Sequence, residues 1–344
     1  MNVNVKDEVK TMRKEGARVT LQDIAAATGY TVNTVSRALK DKPDISRETC
    51  RKIQQVAREM GYVRNYIASS LRSGRTKTFA MIVGSVLNPF YSILCNLIQQ
   101  EAVRLGYSLF ILCSNDDPEY ETRLVEMAIS RQADGVLITP CSFESPALVL
   151  LRDSGIPFVL LSRFLEGEQD DCVICDDEQG GWLAARHLLD RGHSNLAMFS
   201  FHHVVWSSRK RFEGFQRACM EAGVPAGKIH YAEFEGQTEA EIRACIRAWL
   251  DAGVTGFFAF CDVEAWNVLS RMEEAGTLEN RTIEIVGFDN IFRYISFMKP
   301  ICSVDPNLAE EARLAVDLIR RRIHDPSLPP QQVMLPVTLV SRHI

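Results

Sequence analysis

The sequence predicts a small all-α head followed by a larger α/β body that is built on parallel sheets. Residues 20–61 contain three short helical patterns, each with a capping residue at its start. From Thr78 onward, apolar runs of strand length alternate with amphipathic segments of helix length. Continuous apolar strands that alternate with helices are typical of parallel sheets covered on both faces. A chain of 344 residues, 46% of them hydrophobic, can bury more than one such core.

Residues 20–40 have helix-capping and helix-ending residues at the spacing of a helix-turn-helix motif. Thr20 and Asp23 have the spacing of a capping box. Gly29 suits the left-handed residue that ends a helix, and Thr31 caps the next one. The apolar residues of this second helix are expected to face inward: Val32, Val35 and Leu39. Its polar residues then face outward: Asn33, Thr34, Ser36, Arg37 and Lys40. The DNA major groove admits a short helix with such a face; an ordinary helical hairpin is the alternative.

The distribution of charge favours the DNA interpretation. Residues 1–78 contain 16 Lys and Arg against 8 Asp and Glu, a net charge of +8. The whole chain carries −5, so residues 79–344 carry −13. A basic head on an acidic body indicates a polyanionic partner for the head, and it disfavours the body as the surface that lies on DNA.

Three further segments complete the organisation of the head. Residues 1–18 are charged and lack periodicity, which predicts a flexible leader. Residues 46–61 have the pattern of a third helix capped by Ser46, so the helical domain spans about 19–64. Residues 65–78 contain a weak helical pattern that runs into a basic linker. A helix this short is marginal in isolation, so we expect it to order only when something holds it.

The body, residues 79–344, shows a regular alternation of elements. Its apolar runs are at 79–83, 109–113, 135–138, 158–161, 196–199, 256–260 and 283–288. Its amphipathic segments are at 90–105, 119–132, 177–191, 207–222, 238–252 and 262–275. Open parallel sheets bind ligands at the carboxyl ends of their strands, so the loops there are the expected site.

Composition disfavours several other classes of protein. No stretch approaches the ~20 apolar residues of a membrane span, and the N-terminal residues lack the apolar region of a signal peptide. We therefore expect a cytoplasmic protein, associated with the nucleoid when bound to DNA. The ten cysteines are scattered. Cys172 and Cys175 form a CxxC, but on a strand they point to opposite faces, and no second pair accompanies them. We expect no metal and no cofactor.

Both parts of the chain carry recurring segments of a known family. The head contains VTLQDIAAATGYTVNTVSRAL and ISRETCRKIQQVAREMGYVRNYIASSLRSG. The body contains, in order, NPFYSIL (88–94), QADGVLITP (132–140), RFEGFQRA (211–218), FCDVEA (260–265) and EIVGFDN (284–290). Through these segments the chain resembles the LacI/GalR family of bacterial transcription regulators over about residues 19–344.

The resemblance implies a periplasmic-binding-protein-like body of two doubly wound parallel-sheet lobes. Lobe 1 is expected at about 79–175 and 305–330, and lobe 2 at about 176–304 and 331–344. The body would bind the effector and dimerise, and residues 65–78 would form a hinge helix and linker. The implied assembly is a homodimer on a near-palindromic double-stranded DNA operator, with half-sites about one helical turn apart.

The resemblance also implies which residues contact DNA. Val32 and Asn33 occupy the two positions that choose bases: the Asn33 amide suits an adenine edge, and Val32 suits a thymine methyl. Arg37, beside Ser36, would take guanine or phosphate. The remaining candidates are Thr20, Thr31, Thr34, Asn65, Ala68 and Leu71. Among these, Leu71 matches the leucine that wedges into the minor groove at the operator centre.

The implied effector is a small polar molecule, a sugar or sugar derivative, bound between the lobes. Its candidate contacts are Phe90, Tyr91, Ser162, Trp206, Arg211, Asp262 and Asp289. Arg211 would hold hydroxyls or carboxylates through its fork of donors. Asp262 and Asp289 would accept from hydroxyls, or else cap the helices that follow them. Trp206 would stack on a sugar face or pack in the core. Ser162 stands where many relatives have Asp, so no particular sugar is carried over.

The expected function is a DNA-binding transcription regulator, a repressor under allosteric control by its ligand, and not an enzyme. The same architecture acting as an activator or with a corepressor stays open. A sugar-modifying enzyme is disfavoured because the sequence shows no phosphate-cradling glycine loop, metal constellation or recognisable Ser-His-Asp spacing.

Overall fold

The computed structural model describes residues 18–63, 74–142, 145–163, 167, 169–200, 206–276, 282–296 and 299–342. The chain divides into two compact units, one ending at Gly74 and one beginning at Arg75. Most of the predicted leader and hinge, with Asn65, Ala68 and Leu71, lies outside the described residues. Within the described ranges, no helix has the length and apolar character needed to cross a membrane.

The first unit contains three helices: α1 (Leu21–Thr28), α2 (Val32–Ala38) and α3 (Arg47–Glu59). The Thr20 hydroxyl accepts from the backbone N–H of Asp23, whose carboxylate accepts in turn from the backbone N–H of Thr20. Gly29 ends α1 in the left-handed conformation with φ 74°. Thr31 and Ser46 cap α2 and α3 through their side chains. The predicted caps are therefore confirmed.

A small apolar core joins the three helices, and its fully buried members are Ile24, Val35, Ala38 and Ile53. Leu39 packs against this core, as predicted. The inward orientation predicted for Val32 is wrong, because its side chain is 41% exposed. Val35 and Ala38, on the later turns of α2, supply the buried contact with α1 and α3.

The second unit contains two six-stranded sheets. The first has the order β11-β5-β4-β3-β1-β2. Its strands are β1 (Thr78–Val83), β2 (Ser108–Cys113), β3 (Gly135–Ile138), β4 (Phe158–Leu161), β5 (Cys172–Cys175) and β11 (Gln332–Leu335). The second has the order β12-β10-β9-β8-β6-β7. Its strands are β6 (Leu196–Ser200), β7 (Ile229–Glu233), β8 (Gly256–Ala259), β9 (Glu284–Phe288), β10 (Cys302–Asp305) and β12 (Thr338–Val340).

The sheets are parallel, as predicted, except that the edge strand β12 runs antiparallel to β10. Helices cover both faces of each sheet. Over the first sheet lie α4 (Pro89–Arg104), α5 (Pro118–Ser130), α6 (Pro146–Ser154) and α11 (Leu308–His324). Over the second lie α7 (Asp177–Asp190), α8 (Trp206–Glu221), α9 (Glu239–Asp251) and α10 (Asp262–Glu274). On β5, Cys172 and Cys175 belong to different apolar clusters, which agrees with the prediction that they face opposite ways.

The chain passes between the sheets at three short connections. These lie at residue 176, at 306–307 and at 336–337. The last connection comes later than predicted, because β11 pairs in parallel with β5 and so belongs to the first lobe. Leu335 of this strand is buried in the first core, a contact with distant residues that sequence spacing does not reveal.

Two glycines allow α7 and α8 to cross in direct backbone contact. A Cβ at Gly181 would lie 1.8 Å from the Arg211 carbonyl oxygen, and a Cβ at Gly214 would lie 1.8 Å from the Glu178 carbonyl oxygen. No side chain fits there unless the helices separate. The crossing therefore fixes where α8 presents Arg211.

Gly214→Ala is expected to destabilise the body by about 3 kcal/mol or more, because overpacking at a backbone contact forces the helices apart. Urea denaturation of the full chain measures this change. Gly227→Ala is the matched control, since its Cβ meets nothing within 4 Å. If the two variants were equally stable, the α7–α8 crossing would accommodate a Cβ at residue 214 with no loss in the free energy of unfolding.

Candidate functional site

The first turn of α2 presents side chains to solvent. Thr31, Val32 and Asn33 are exposed, and Thr34 and Ser36 are half-buried. The Thr34 backbone N–H donates to the Thr31 hydroxyl oxygen at 3.2 Å, and the two hydroxyls lie 2.9 Å apart. The cap thus fixes the start of the helix, from which Val32 and Asn33 project.

Arg37 is held by a residue that the sequence analysis did not single out. Its Nε donates to Asp44 Oδ2 at 2.7 Å, and its Nη2 lies 2.6 Å from Asp44 Oδ1. The hydrogen bond from Arg37 keeps the pKa of the Asp44 carboxyl below its usual value. This two-point contact orients the guanidinium on the surface of the head.

In the body, the candidate ligand contacts lie at or just beyond the carboxyl ends of strands in both lobes. Phe90 and Tyr91 are in the first turn of α4, which follows β1, and Asp289 follows β9. One apolar cluster contains Tyr91 of the first lobe and Ile291 of the second, with Phe90 and Val263 packed against it. The two lobes therefore touch beside these residues.

Arg211 is a buried cation in the wall of this region. Its Nε donates to Asp177 Oδ1 at 2.8 Å, and its Nη1 donates to the Phe260 carbonyl oxygen at 2.5 Å. The guanidinium carbon lies 3.4 Å from the centroid of the Phe288 ring. Burial raises the pKa of Asp177, and the charge of Arg211 opposes that shift. Arg211 is thus positioned by Asp177 and Phe288.

The two predicted acids differ in how they are bonded. Asp262 Oδ1 accepts from the Ser303 hydroxyl at 2.6 Å, and Oδ2 accepts from the Ile291 N–H at 2.8 Å. Burial raises the pKa of Asp262 to about 7. Asp289 is 4% exposed with φ 102°, and its burial raises its pKa well above the usual value despite the opposing charge of Arg211. Neither acid occupies an N-cap position: Cys261 precedes α10, and Asn290 precedes the short turn after β9.

The first lobe contributes a second set of hydrogen-bonded polar side chains to this region. Arg163 donates to the Tyr91 hydroxyl at 3.1 Å and to the Pro140 carbonyl oxygen at 2.7 Å. The Ser162 hydroxyl donates to Glu311 Oε1 at 2.6 Å. Burial raises the pKa of Glu311 to about 7.

Trp206, the first residue of α8, is 6% exposed. Its burial fits the core alternative better than a ring exposed in the cleft.

Sequence reasoning missed Asp177 and Glu311 and passed over Arg163 as a contact. Asp177 could have been identified from the sequence, because it follows the apolar run of β5 at the carboxyl end of the strand, where such sheets bind ligands. No sequence pattern identifies Glu311 as a site residue, since its partner Ser162 is 149 residues away in the chain.

These features define a class of protein. The first unit is a helix-turn-helix whose second helix exposes its first turn. The second unit is a two-lobed α/β body. Buried charged side chains lie near the carboxyl ends of its strands, beside the region where the two lobes touch. Together they define a DNA-binding regulator with a ligand-binding body.

Comparison with known families agrees with this class. Residues 20–65 match the bacterial regulatory proteins of the lacI family. Residues 76–248 match the periplasmic binding proteins and sugar binding domain of the LacI family, and residues 185–343 match a periplasmic binding protein-like domain. The chain belongs to the LacI family of bacterial regulatory proteins. Its function is that of a DNA-binding repressor under allosteric control.

Individual relatives cover nearly the whole chain. The HTH-type transcriptional regulator DegA of Bacillus subtilis is 29% identical over 330 residues, 95% of this chain and 98% of DegA. A LacI family regulator from Enterococcus faecium with bound ribose is 26% identical with a TM-score of 0.67, covering 77% of this chain and 97% of that chain. The lac repressor dimer bound to operator and the anti-inducer ONPF shares the fold, with a TM-score of 0.78, 19% identity and coverage of 95% and 98%.

Glu311→Gln is expected to stabilise the body at pH 8 by about 2 kcal/mol more than at pH 5. The folded pKa of Glu311 is raised to about 7, so stability that is present at low pH is lost as pH rises through that value. The glutamine cannot ionise and still accepts from Ser162. Urea denaturation at both pH values measures the difference.

The control is Glu310→Gln, which changes a half-buried carboxylate on the same helix. The hydrogen bond from Arg313 lowers the pKa of Glu310, so this variant is expected to gain no stability at pH 8. A Glu311→Gln effect that is the same at pH 5 and pH 8 would contradict the buried-carboxyl assignment.

Proposed function

We propose that the chain represses transcription as a homodimer on a near-palindromic operator, and that a sugar or sugar derivative between its lobes weakens this binding. The exposed first turn of α2, with Val32 and Asn33 at its tip, is the observation that carries the DNA-reading part. Val32 offers apolar contact to a thymine methyl, and the Asn33 amide pairs with an adenine edge. The net charge of +8 on residues 1–78 supplies the attraction to phosphates.

The other head residues have supporting roles in this proposal. Arg37 takes a guanine or a phosphate, with Asp44 orienting it. The remaining polar contacts set the register on the phosphates without reading sequence: Thr20, Thr31, Thr34, Ser36 and Asn65. Ala68 and Leu71 form part of a hinge helix, and Leu71 enters the minor groove at the operator centre.

Asn33→Ala is expected to weaken operator binding by about 1–3 kcal/mol and to relax the preference at one base pair of each half-site. Fluorescence anisotropy at fixed salt, with operators substituted at single positions, measures both effects. Gln55→Ala is the control, because Gln55 is exposed on α3, away from the predicted reading turn. An unchanged base preference in Asn33→Ala would show that another residue reads the sequence.

The buried charges of the body support a polar effector. Arg211 and Asp289 lie in the second lobe, and Arg163 and Tyr91 in the first, all near the strand ends where such sheets bind ligands. Among the described residues, the Asp289 carboxyl makes no side-chain hydrogen bond. A sugar hydroxyl would supply the missing partner. Asp262 and Ser162 shape the wall of the site through their bonds to Ser303 and Glu311. Phe90 lines the apolar side, and Trp206 is buried at the start of α8.

A surface of the first lobe supports the homodimer. The apolar side chains of Leu87, Val103, Leu105 and Ile111 are 91%, 60%, 41% and 40% exposed. They lie before α4, at its carboxyl end and on β2, which is the edge strand of its sheet. A second copy of the chain would cover this apolar surface, and an operator with two half-sites requires two heads.

The effector is tested by anisotropy on a near-palindromic duplex with pooled sugars, sugar acids and sugar phosphates. The pool is expected to weaken operator binding by the wild-type protein, and Asp289→Asn is expected to lose this response while binding the operator normally. Asn tolerates the positive φ of residue 289, so the variant should fold. Asp153→Asn, at an exposed position, is the control.

Two outcomes would contradict the proposal. A pool that tightens operator binding would make the ligand a corepressor. A full response in Asp289→Asn would place the ligand contact elsewhere.

A further inference from the structure

A cluster of metal-ligating side chains lies in the second lobe, away from the candidate ligand contacts. It contains His187 of α7, Glu284 at the start of β9 and Cys302 at the start of β10. Glu284 and Cys302 are the first residues of their strands, whereas Asp289 lies beyond the carboxyl end of β9. The cluster is therefore at the amino ends of the strands, opposite the ends where the candidate ligand contacts lie. One ligand atom from each of the three residues lies within 4.8 Å of the other two.

The carboxylate of Glu284 is oriented toward the other two ligands. Its Oε1 lies 2.7 Å from His187 Nε2 and 3.8 Å from Cys302 Sγ. Its Oε2 is held by His193 Nε2 and Arg191 Nε, each at 3.2 Å. The positive charge of Arg191 is therefore engaged with the oxygen that points away from the three-atom cluster.

Cys302 Sγ lies within hydrogen-bonding distance of two acceptors, Glu284 Oε1 at 3.8 Å and the Arg342 carbonyl oxygen at 3.4 Å. Its sulfur accepts from the backbone N–H of Arg342 at 3.3 Å. Cys302 and Glu284 also line a cavity of about 210 Å³, together with Arg191 and Arg342.

We propose that His187, Glu284 and Cys302 bind a divalent transition metal of the zinc type, with a fourth position open to the cavity. Nitrogen, oxygen and thiolate sulfur are the donors that zinc takes. Zinc ligands at ~2.0–2.3 Å from the ion lie about 3.5 Å apart in a tetrahedron, so shifts of about an ångström bring the three atoms into place. The two negative ligands balance the charge of the ion, which joins α7, β9 and β10.

The test uses the full-length, tag-free protein, stripped with a chelator and kept reduced by a phosphine. Cobalt(II) is expected to bind at one equivalent and to give the near-ultraviolet absorption of a cobalt–thiolate bond. Zinc(II) is expected to displace the cobalt and to raise the melting temperature of the body, because the ion binds the folded state. These measurements need no variant.

Cys302→Ser and His187→Asn are each expected to weaken zinc binding by about 100-fold or more and to abolish the rise in melting temperature. Cys245→Ser and His230→Asn are matched controls, since they change a cysteine and a histidine outside the cluster. The proposal is overturned if the cobalt complex lacks the thiolate absorption, or if Cys302→Ser binds zinc as tightly as Cys245→Ser.

Discussion

The buried ion pair between Arg211 and Asp177 is the interaction on which the second lobe depends. Two charges are withdrawn from water there, and such a pair is tolerated only when its geometry is good and its remaining donors are satisfied. The backbone contact at Gly181 and Gly214 supplies that geometry, because it brings α7 and α8 close enough for the pair to form. The ring of Phe288 and the Phe260 carbonyl contact the guanidinium, whereas Asp177 Oδ2 has no hydrogen-bond partner among the described residues.

Features governed by local rules could be predicted from the sequence. The capping box at Thr20, the left-handed Gly29 and the strand 135–138 follow from a few neighbouring residues, and the structure agrees with each. The alternation of strands and helices also sufficed for the fold class. Val32 shows where the local rule failed: its apolar side chain fitted the inward stripe of α2, but the packing of three helices decided which turn is buried.

Features that depend on distant residues could not be predicted. Ser162 was predicted as an effector contact after β4, but its bond to Glu311 could not be foreseen because it requires the fold to place α11 beside it. The two-point contact of Arg37 with Asp44 and the pairing of β11 with β5 are of the same kind. The acids were located correctly at strand ends, but whether each is already hydrogen-bonded within the protein is settled by tertiary packing.

The three short connections between the lobes have a mechanical consequence. None is longer than two residues, and Pro306 and Pro336 fix φ in two of them. Such connections resist stretching and sliding, so the compliant motion of one lobe against the other is a rotation about the region where the connections lie. Binding energy released at the strand ends then drives the rotation of one rigid lobe against the other, because connections of one or two residues absorb little of the motion.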